Sequence, residues 1–477
     1  MTNPQKAHEE EVLQKIPAQL AKAERLRQKG DINAALMEVS DYVNYHLDDV
    51  TALMVAAHIM IDAGRYGMAH PLLMRASKLE PNIATIWNNL GICYQEGANL
   101  EEAETYFFRA LKLDPADPLS HTNLSQLYNN LSQPHLSIKH ADSAIELDES
   151  KPEAYYNRSL AKLALQDWRD GWVDYDYALE YDARRERVYG PIPRWNGEEG
   201  KTLIAYGEQG MGDEIAFASC VPDLAKNNKV IVECSPSLYY LFKRSFGLET
   251  HGTRFTKAIP WLTDQTTGIP RKVDAAVAFG SLPRYYRNET KDFPGTPYLI
   301  ADPERRLQWK ALLAALGPKL KVGIAWTGGN MNTGKARRSL DLDELLPILR
   351  QDATFVSLQY MDSPEIHALK RDHGITIHHW KRATQSDDYD DTAALVAELD
   401  LVISVQTAVV HLSGALGQKC WAMLPKTPRW FYGISGSKLP WYESVKLYRQ
   451  KYKWVDLISD VAKDLRELIS PTIKSAH

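Results

Sequence analysis

At 477 residues the chain has room for about three domains of roughly 150 residues each. Hydrophobic residues make up 44% and charged residues 25%, an ordinary globular balance that needs no disulfide framework or structural zinc to build a core. Lys and Arg number 56 against 61 Asp and Glu, a net charge of −5. That balance excludes a broad electrostatic nucleic-acid binder and leaves only local patches.

Cys93, Cys220, Cys234 and Cys420 lie far apart with no CxxC or zinc spacing, which predicts no metal site and a reducing compartment. The first thirty residues hold no apolar run of signal-peptide type. The longest apolar stretch, AALVAELDLVISVQTAVV, is broken by Glu398 and Asp400, short of what a membrane span requires. The expectation is a soluble, cytoplasmic protein.

The N-terminal third repeats itself. The segment 84–117 places Trp87, Leu90, Gly91, Tyr94, Ala103, Phe107, Ala110 and Pro115 at the offsets of a 34-residue tetratricopeptide unit. Small Gly91 and Ala103 let two helices approach, Tyr94 and Phe107 fill the space between hairpins, and Pro115 stops the second helix. Residues Ala57, Met60, Ala69, Leu73, Ala76 and Pro81 hold the same slots one period earlier, and Ala23, Leu26, Ala35 and Val39 one earlier still. Leu124, Tyr128 and Ala144 follow, then Tyr155, Ser159, Gly171, Tyr175 and Ala178, with Lys162 where an apolar residue is expected. The stretch resembles the tetratricopeptide-repeat proteins, which implies an α-helical solenoid of about five repeats over 16–185, after an N-terminal helix or cap at 1–15. Such an array suits protein partners or extended peptides on its concave face; oligomerising or stiffening the chain is the alternative.

Residues 186–200 lose the period and gather Gly190, Pro191, Pro193 and Gly197, reading as a linker. From 201 onwards short β-branched runs alternate with helical segments: TLIAY (202–206), KVIVEC (229–234), DAAVA (274–278), KVGIAW (321–326), TFVSLQ (354–359), ITIHH (375–379), LDLVISV (399–405) and CWAML (420–424). This predicts two Rossmann-like halves, 201–315 and 316–453, with a closing helix and tail at 454–477.

Ligands of open α/β sheets bind at the carboxyl ends of strands, so three turns matter. The first, GEQGMGD, holds Gln209, Gly210, Gly212 and Asp213. Asp213 reads either as an N-cap or as a carboxylate able to take a proton from a bound hydroxyl. The second holds Trp326, Thr327, Gly328, Gly329 and Asn330, then Lys335, Arg337, Arg338 and Ser339, a glycine-rich loop with cations suited to a pyrophosphate or simply a solvated loop. The third, Gln406, Thr407, Ala408 and His411, opens a helix whose N-terminus would favour a diphosphate. DLD (341–343) reads as helix capping rather than a metal-binding DxD, and DDYDD (387–391) as a solvated loop leading into a helix at Thr392.

Together GEQGMGD (207–213), VGIAWTGGN (322–330), RRS (337–339), SLQ (357–359) and DTAALVAELDLVISVQTAVVHLSGALG (391–417) resemble the heptosyltransferase-like glycosyltransferases of GT-B fold, above all bacterial ones that follow tetratricopeptide repeats. The plan is also similar to that of the O-linked N-acetylglucosamine transferases. The resemblance implies a hexosyl- or heptosyl-type enzyme that uses a nucleotide-diphosphate sugar as co-substrate, with no other cofactor and no metal. It places the base on Asp213, the acceptor-side loop on Gln209, Gly210 and Gly212, and the donor site on Trp326, Thr327, Gly328, Gly329, Asn330, Arg338, Ser339, Gln359, Gln406, Thr407, Ala408 and His411. A protein or glycan acceptor is implied. Gln406 departs from the family's Asp, which leaves open a catalytically inactive repeat scaffold.

Overall fold

The computed structural model describes residues 16–181, 183–184, 186–263, 266–328, 338–360, 364–384 and 387–470. The chain forms two compact units, Met1–Ala161 and Lys162–His477. The helix expected at 1–15 lies outside the described residues.

Among the described residues the repeats form five helical hairpins. They are α1 (Ala18–Gln28) with α2 (Ile32–Tyr45), α3 (Val50–Asp62) with α4 (Tyr66–Leu79), and α5 (Ala84–Glu96) with α6 (Leu100–Leu113). Then come α7 (Pro118–Asn130) with α8 (Pro134–Leu147), and α9 (Pro152–Ala164) with α10 (Trp168–Tyr175). Each hairpin turns on one left-handed residue, and these recur at the repeat period: Gly30, Gly64, Ala98, Ser132 and Gln166, with φ of 79°, 69°, 61°, 54° and 64°. Glycine takes this conformation without steric cost, whereas a side chain strains it by about 1–2 kcal/mol. Gly91 has the packing role its slot predicts, since a Cβ there would stand 2.5 Å from the Phe107 ring. Phe107 is fully buried beside Ala103, Leu124 and Tyr128. At the slot where Lys162 breaks the pattern, its ammonium pairs with Asp174 at 2.9 Å, so an ion pair replaces apolar filling.

The second unit contains two parallel-rich sheets. In the first, β1 (Thr202–Tyr206), β2 (Lys229–Glu233), β3 (Glu249–His251) and β4 (Ala275–Ala278) lie in the order β3-β2-β1-β4, all parallel. The second contains β5 (Lys321–Ala325), β6 (Thr354–Ser357), β7 (Ile377–His378), β8 (Leu401–Val405), β9 (Cys420–Leu424), β10 (Lys438–Leu439) and β11 (Tyr442–Arg449). Their order is β10-β11-β9-β8-β5-β6-β7, parallel except at the β10–β11 edge. Counted from β5, the parallel strands run 3-2-1-4-5-6, the doubly wound order whose switch point falls between β5 and β8. The sequence pattern predicts none of β3, the two-residue β10 and the eight-residue β11. The helix predicted at the end is Trp454–Ile469, which buries Leu457, Ile458, Val461 and Leu465 against the second sheet's core.

Two helices bring the sheets together: α11 (Met211–Ala218), after β1, packs on α12 (Ala408–Ala415), after β8. Around their far ends lies an aromatic cluster in which Trp172 meets Tyr175, Phe217, Trp430 and Trp441 at ring distances of 5.7–6.4 Å. Trp172 also donates to the Arg287 carbonyl at 2.8 Å, anchoring α10 within this unit.

Replacing Ala98 or Ser132 by glycine should stabilise the array by about 1 kcal/mol each, read as a higher melting point of the helical circular-dichroism signal. Gly64→Ala should lower it by a similar amount.

Candidate functional site at the carboxyl edges of the two sheets

Beyond β5 the chain turns at Trp326–Gly328 and touches the exit of β8. A Cβ on Gly328 would lie 2.8 Å from the Gln406 carbonyl oxygen and 2.9 Å from the Thr407 methyl, so this approach admits only glycine. Gln359, just beyond β6, braces the turn. Its Oε1 accepts from the Trp326 and Thr327 amides at 3.4 and 3.2 Å, and its Nε2 donates to the Thr327 carbonyl at 3.3 Å. Trp326 is fully buried, and its indole N–H reaches Glu365 at 3.1 Å. Ser339 accepts from the Gly328 amide at 3.3 Å, and Arg338 donates to the Gln406 carbonyl at 3.3 Å. The structure thus gathers Thr327, Gly328, Arg338, Ser339, Gln359, Gln406 and Thr407. Gln359 and the Trp326 ring shape the turn from inside. Gly329, Asn330, Lys335 and Arg337 lie outside the described residues.

At the exit of β8, Thr407 is the N-cap of α12: its Oγ1 accepts from the Val409 amide at 3.2 Å. Gln406 is 2% exposed, and its Nε2 has no hydrogen-bond partner among the described residues. An amide N–H2 buried without an acceptor is costly. His411 is packed among Phe431, Tyr432 and Tyr442, with Nδ1 3.4 Å from the Tyr442 hydroxyl. Burial, with Arg429 nearby, pushes its pKa down to about 3, so the imidazole is neutral.

Opposite stands α11. Gly210, not Asp213, is the N-cap, which corrects the capping reading of Asp213. Asp213 is the third helical residue, and its carboxylate accepts from the Gly210 amide, as an acidic side chain at that position does in a capping box. At Gly212 a Cβ would lie 3.1 Å from the His411 ring and 3.2 Å from Ala408 Cα, so the two helices cross backbone to backbone. Asp213 thereby faces the cations of the second half. Burial raises its pKa above the ordinary carboxylate range; Arg429 and Arg338 pull the other way, and Glu208 adds to the rise.

Four contributors escape a reading of the sequence. Arg429 is exposed beyond β9, and its charge acts on Asp213, Arg338 and His411. Tyr432 follows it and packs on His411. Both belong to PKTPRWFY, the exit of a further strand on the same edge, so the strand-end rule applied to β9 would find them. Glu208 and Arg184 form a buried ion pair at 2.9 Å beneath the 207–213 turn. Glu208 stands inside the GEQG motif, but its partner is 24 residues away in a segment without periodicity.

Both acidic strings cap helices. Asp341 forms a capping box with Glu344. DDYDD is not a solvated loop: the helix begins at Tyr389, Asp388 caps it, and Asp390 and Asp391 are buried. Asp390 pairs with Arg244, and Asp391 accepts from the Trp309 indole at 2.9 Å.

Residues 84–117 match the tetratricopeptide repeat family model. The chain is similar to the protein FlbA of Caulobacter vibrioides, 29% identical over 461 residues that make up 89% of this chain and 75% of that protein. A shorter likeness, 36% over 64 residues, is to the protein O-mannosyl-transferase TMTC3 of Mus musculus; it covers 13% of this chain and 7% of that protein. Among solved structures, a thermophilic TPR protein of Thermus thermophilus aligns at 18% identity and a TM-score of 0.32, over 34% of this chain and 89% of that one. No helix among the described residues is long and apolar enough to cross a membrane.

Gly212→Val should force α11 off α12 and cost about 1–3 kcal/mol in denaturant unfolding of the second unit. Because the folded state binds His411's proton only near pH 3 while the unfolded chain binds it near 6.5, His411 makes stability fall as pH drops through that window. His411→Gln should flatten that slope in urea unfolding measured across about pH 4–7.

Proposed function

We propose that the second unit is a metal-independent glycosyltransferase of GT-B type, heptosyltransferase-like, moving a sugar from a nucleotide-diphosphate sugar to a hydroxyl acceptor. The observation that carries this reading is the meeting, at the carboxyl edges of both sheets, of one carboxylate with two guanidinium groups and a helix N-terminus. The strand order β3-β2-β1-β4 and its counterpart around β5 support two nucleotide-type halves. In this reading the diphosphate lies at the β5–β8 switch point. Arg338, Arg429 and the α12 N-terminus capped by Thr407 neutralise it. Gln406 Nε2 donates to a donor oxygen.

The reaction needs one proton acceptor. The acceptor hydroxyl oxygen bonds to the anomeric carbon as the bond from that carbon to the diphosphate oxygen breaks. Its proton passes to Asp213, and the nucleoside diphosphate leaves with the electron pair. A carboxylate with a raised pKa is a stronger base than a solvated one, which suits Asp213 to this task. The tetratricopeptide repeats support protein partners, and in this reading they recruit a protein or glycan acceptor.

Thermal shift and nucleoside-diphosphate release against a panel of nucleotide sugars test the proposal. One donor should raise the melting point and release its nucleoside diphosphate. Asp213→Asn should keep donor binding and lower transfer by about 10²–10⁴-fold. Arg429→Ala should weaken donor binding about tenfold without lowering stability, since its side chain is exposed. If no donor shifts the melting point and none is hydrolysed, the chain is instead an inactive repeat scaffold.

A further inference from the structure

Beneath the turn that carries Asp213, four hydrogen bonds converge on a single oxygen. Glu208 Oε1 accepts from Arg184 Nε at 3.1 Å, Arg184 Nη2 at 2.9 Å, Gln209 Nε2 at 3.0 Å and the Gly280 amide at 3.1 Å. The Arg184 side chain is fully buried, and it also donates to the Tyr175 carbonyl and Asp176 at 3.3 Å and to Ser281 at 3.0 Å. Gln209 turns its other end to α10, accepting from the Tyr175 hydroxyl at 2.8 Å. Gly280, after β4, has no room for a side chain: its Cβ would stand 2.5 Å from Glu208 Oε1. The exits of β1 and β4, the switch point of the first sheet, are thus pinned on one carboxylate.

That construction is costly. A buried ion pair loses the hydration of both groups and is retained where its geometry is complete. Here the carboxylate is held five residues before Asp213, in the same turn. The groups facing Asp213 are Glu208 from its own turn, Arg338, Arg429 and the Tyr432 and Tyr442 phenols from the second half, and neutral His411 across Gly212.

We propose that Glu208 is the positioning residue for Asp213: clamped by Arg184, Gln209 and the Gly280 amide, it fixes the 207–213 turn and pairs the buried Arg184 guanidinium that lies beneath it. It touches no reacting atom. Without Glu208 the buried Arg184 guanidinium would stand unpaired beneath the turn and join Arg338 and Arg429 in holding Asp213 as a weakly basic carboxylate. The inference rests on the reading of Asp213 as the proton acceptor of a diphosphate site.

The test is the pH dependence of binding of UDP, GDP, ADP and CDP to the full chain, by titration calorimetry from about pH 4.5 to 8. A diphosphate binds less tightly once Asp213 is ionised, so affinity should fall with a midpoint set by Asp213, and Asp213→Asn should remove that midpoint. Glu208→Gln should move the midpoint down by about half a pH unit or more, while Glu208→Asp, which keeps the carboxylate but draws it back, should move it down by less. Should Glu208→Gln fail to fold, Glu208→Asp still decides: its carboxylate is one methylene further from the Gly280 amide, and its midpoint should lie measurably below wild type. A purely structural role would lower the melting point of both variants and leave the midpoint in place, which overturns the inference and spares the diphosphate site. Absence of binding by wild type to every nucleotide overturns the site and the inference together.

Discussion

The arrangement of the second unit depends on the contact between Gly212 and Ala408. Two short helices, each leaving the carboxyl edge of its own sheet, cross so closely that an added Cβ would stand 3.2 Å from the Ala408 Cα and press on it. Three site residues lie within one helical turn of that crossing. Asp213 is the next residue on one helix, and Thr407 and His411 flank the contact on the other. Because the approach is set by backbone rather than by flexible side chains, the separation of carboxylate and cations is inherited from the fold. Glycine recurs for the same reason at 328 and 280, where strand exits meet within each sheet.

The electrostatic pattern follows from that geometry. A net charge of −5 spread over the chain coexists with a site in which two guanidinium groups act on one carboxylate. Burial weakens the charged form of Asp213 and of His411 alike, with opposite consequences: the acid becomes a better proton acceptor, the imidazole a neutral packing element. His411 therefore shapes the wall of the site and brings no charge to it. Gln406 differs from both, since it is nearly sealed from solvent and its Nε2 has no partner among the described residues.

Much of this is legible in the sequence, for physical reasons that can be named. The 34-residue period shows because each repeat needs the same small and large residues to pack on its neighbour. Seven of the eight strands read from apolar runs are ladders of four or five residues, buried along nearly their whole length. The strand at 377–378 shrinks to two residues because it is a sheet edge. The unpredicted β11 mixes buried and exposed residues beside charged ones, a pattern of an outer strand rather than a core one. At the site, motif spacing locates the turns but not their partners. Arg184 and Arg429 are brought towards the 207–213 turn by tertiary folding, which spacing along the chain does not encode. Asp213 looks like a cap in the sequence because the cap itself is a glycine three residues earlier, with no side chain to announce it.

The left-handed residues at Gly30, Gly64, Ala98, Ser132 and Gln166 mark where the array can change length. Any two of these turns have the same backbone shape, so cutting the chain at one and rejoining it at the next removes one whole inter-turn module and returns every remaining side chain to an equivalent neighbour. A loss or gain of any other size rotates a helix face away from its groove. The repeat number is therefore a quantity that recombination can alter in single steps of one module.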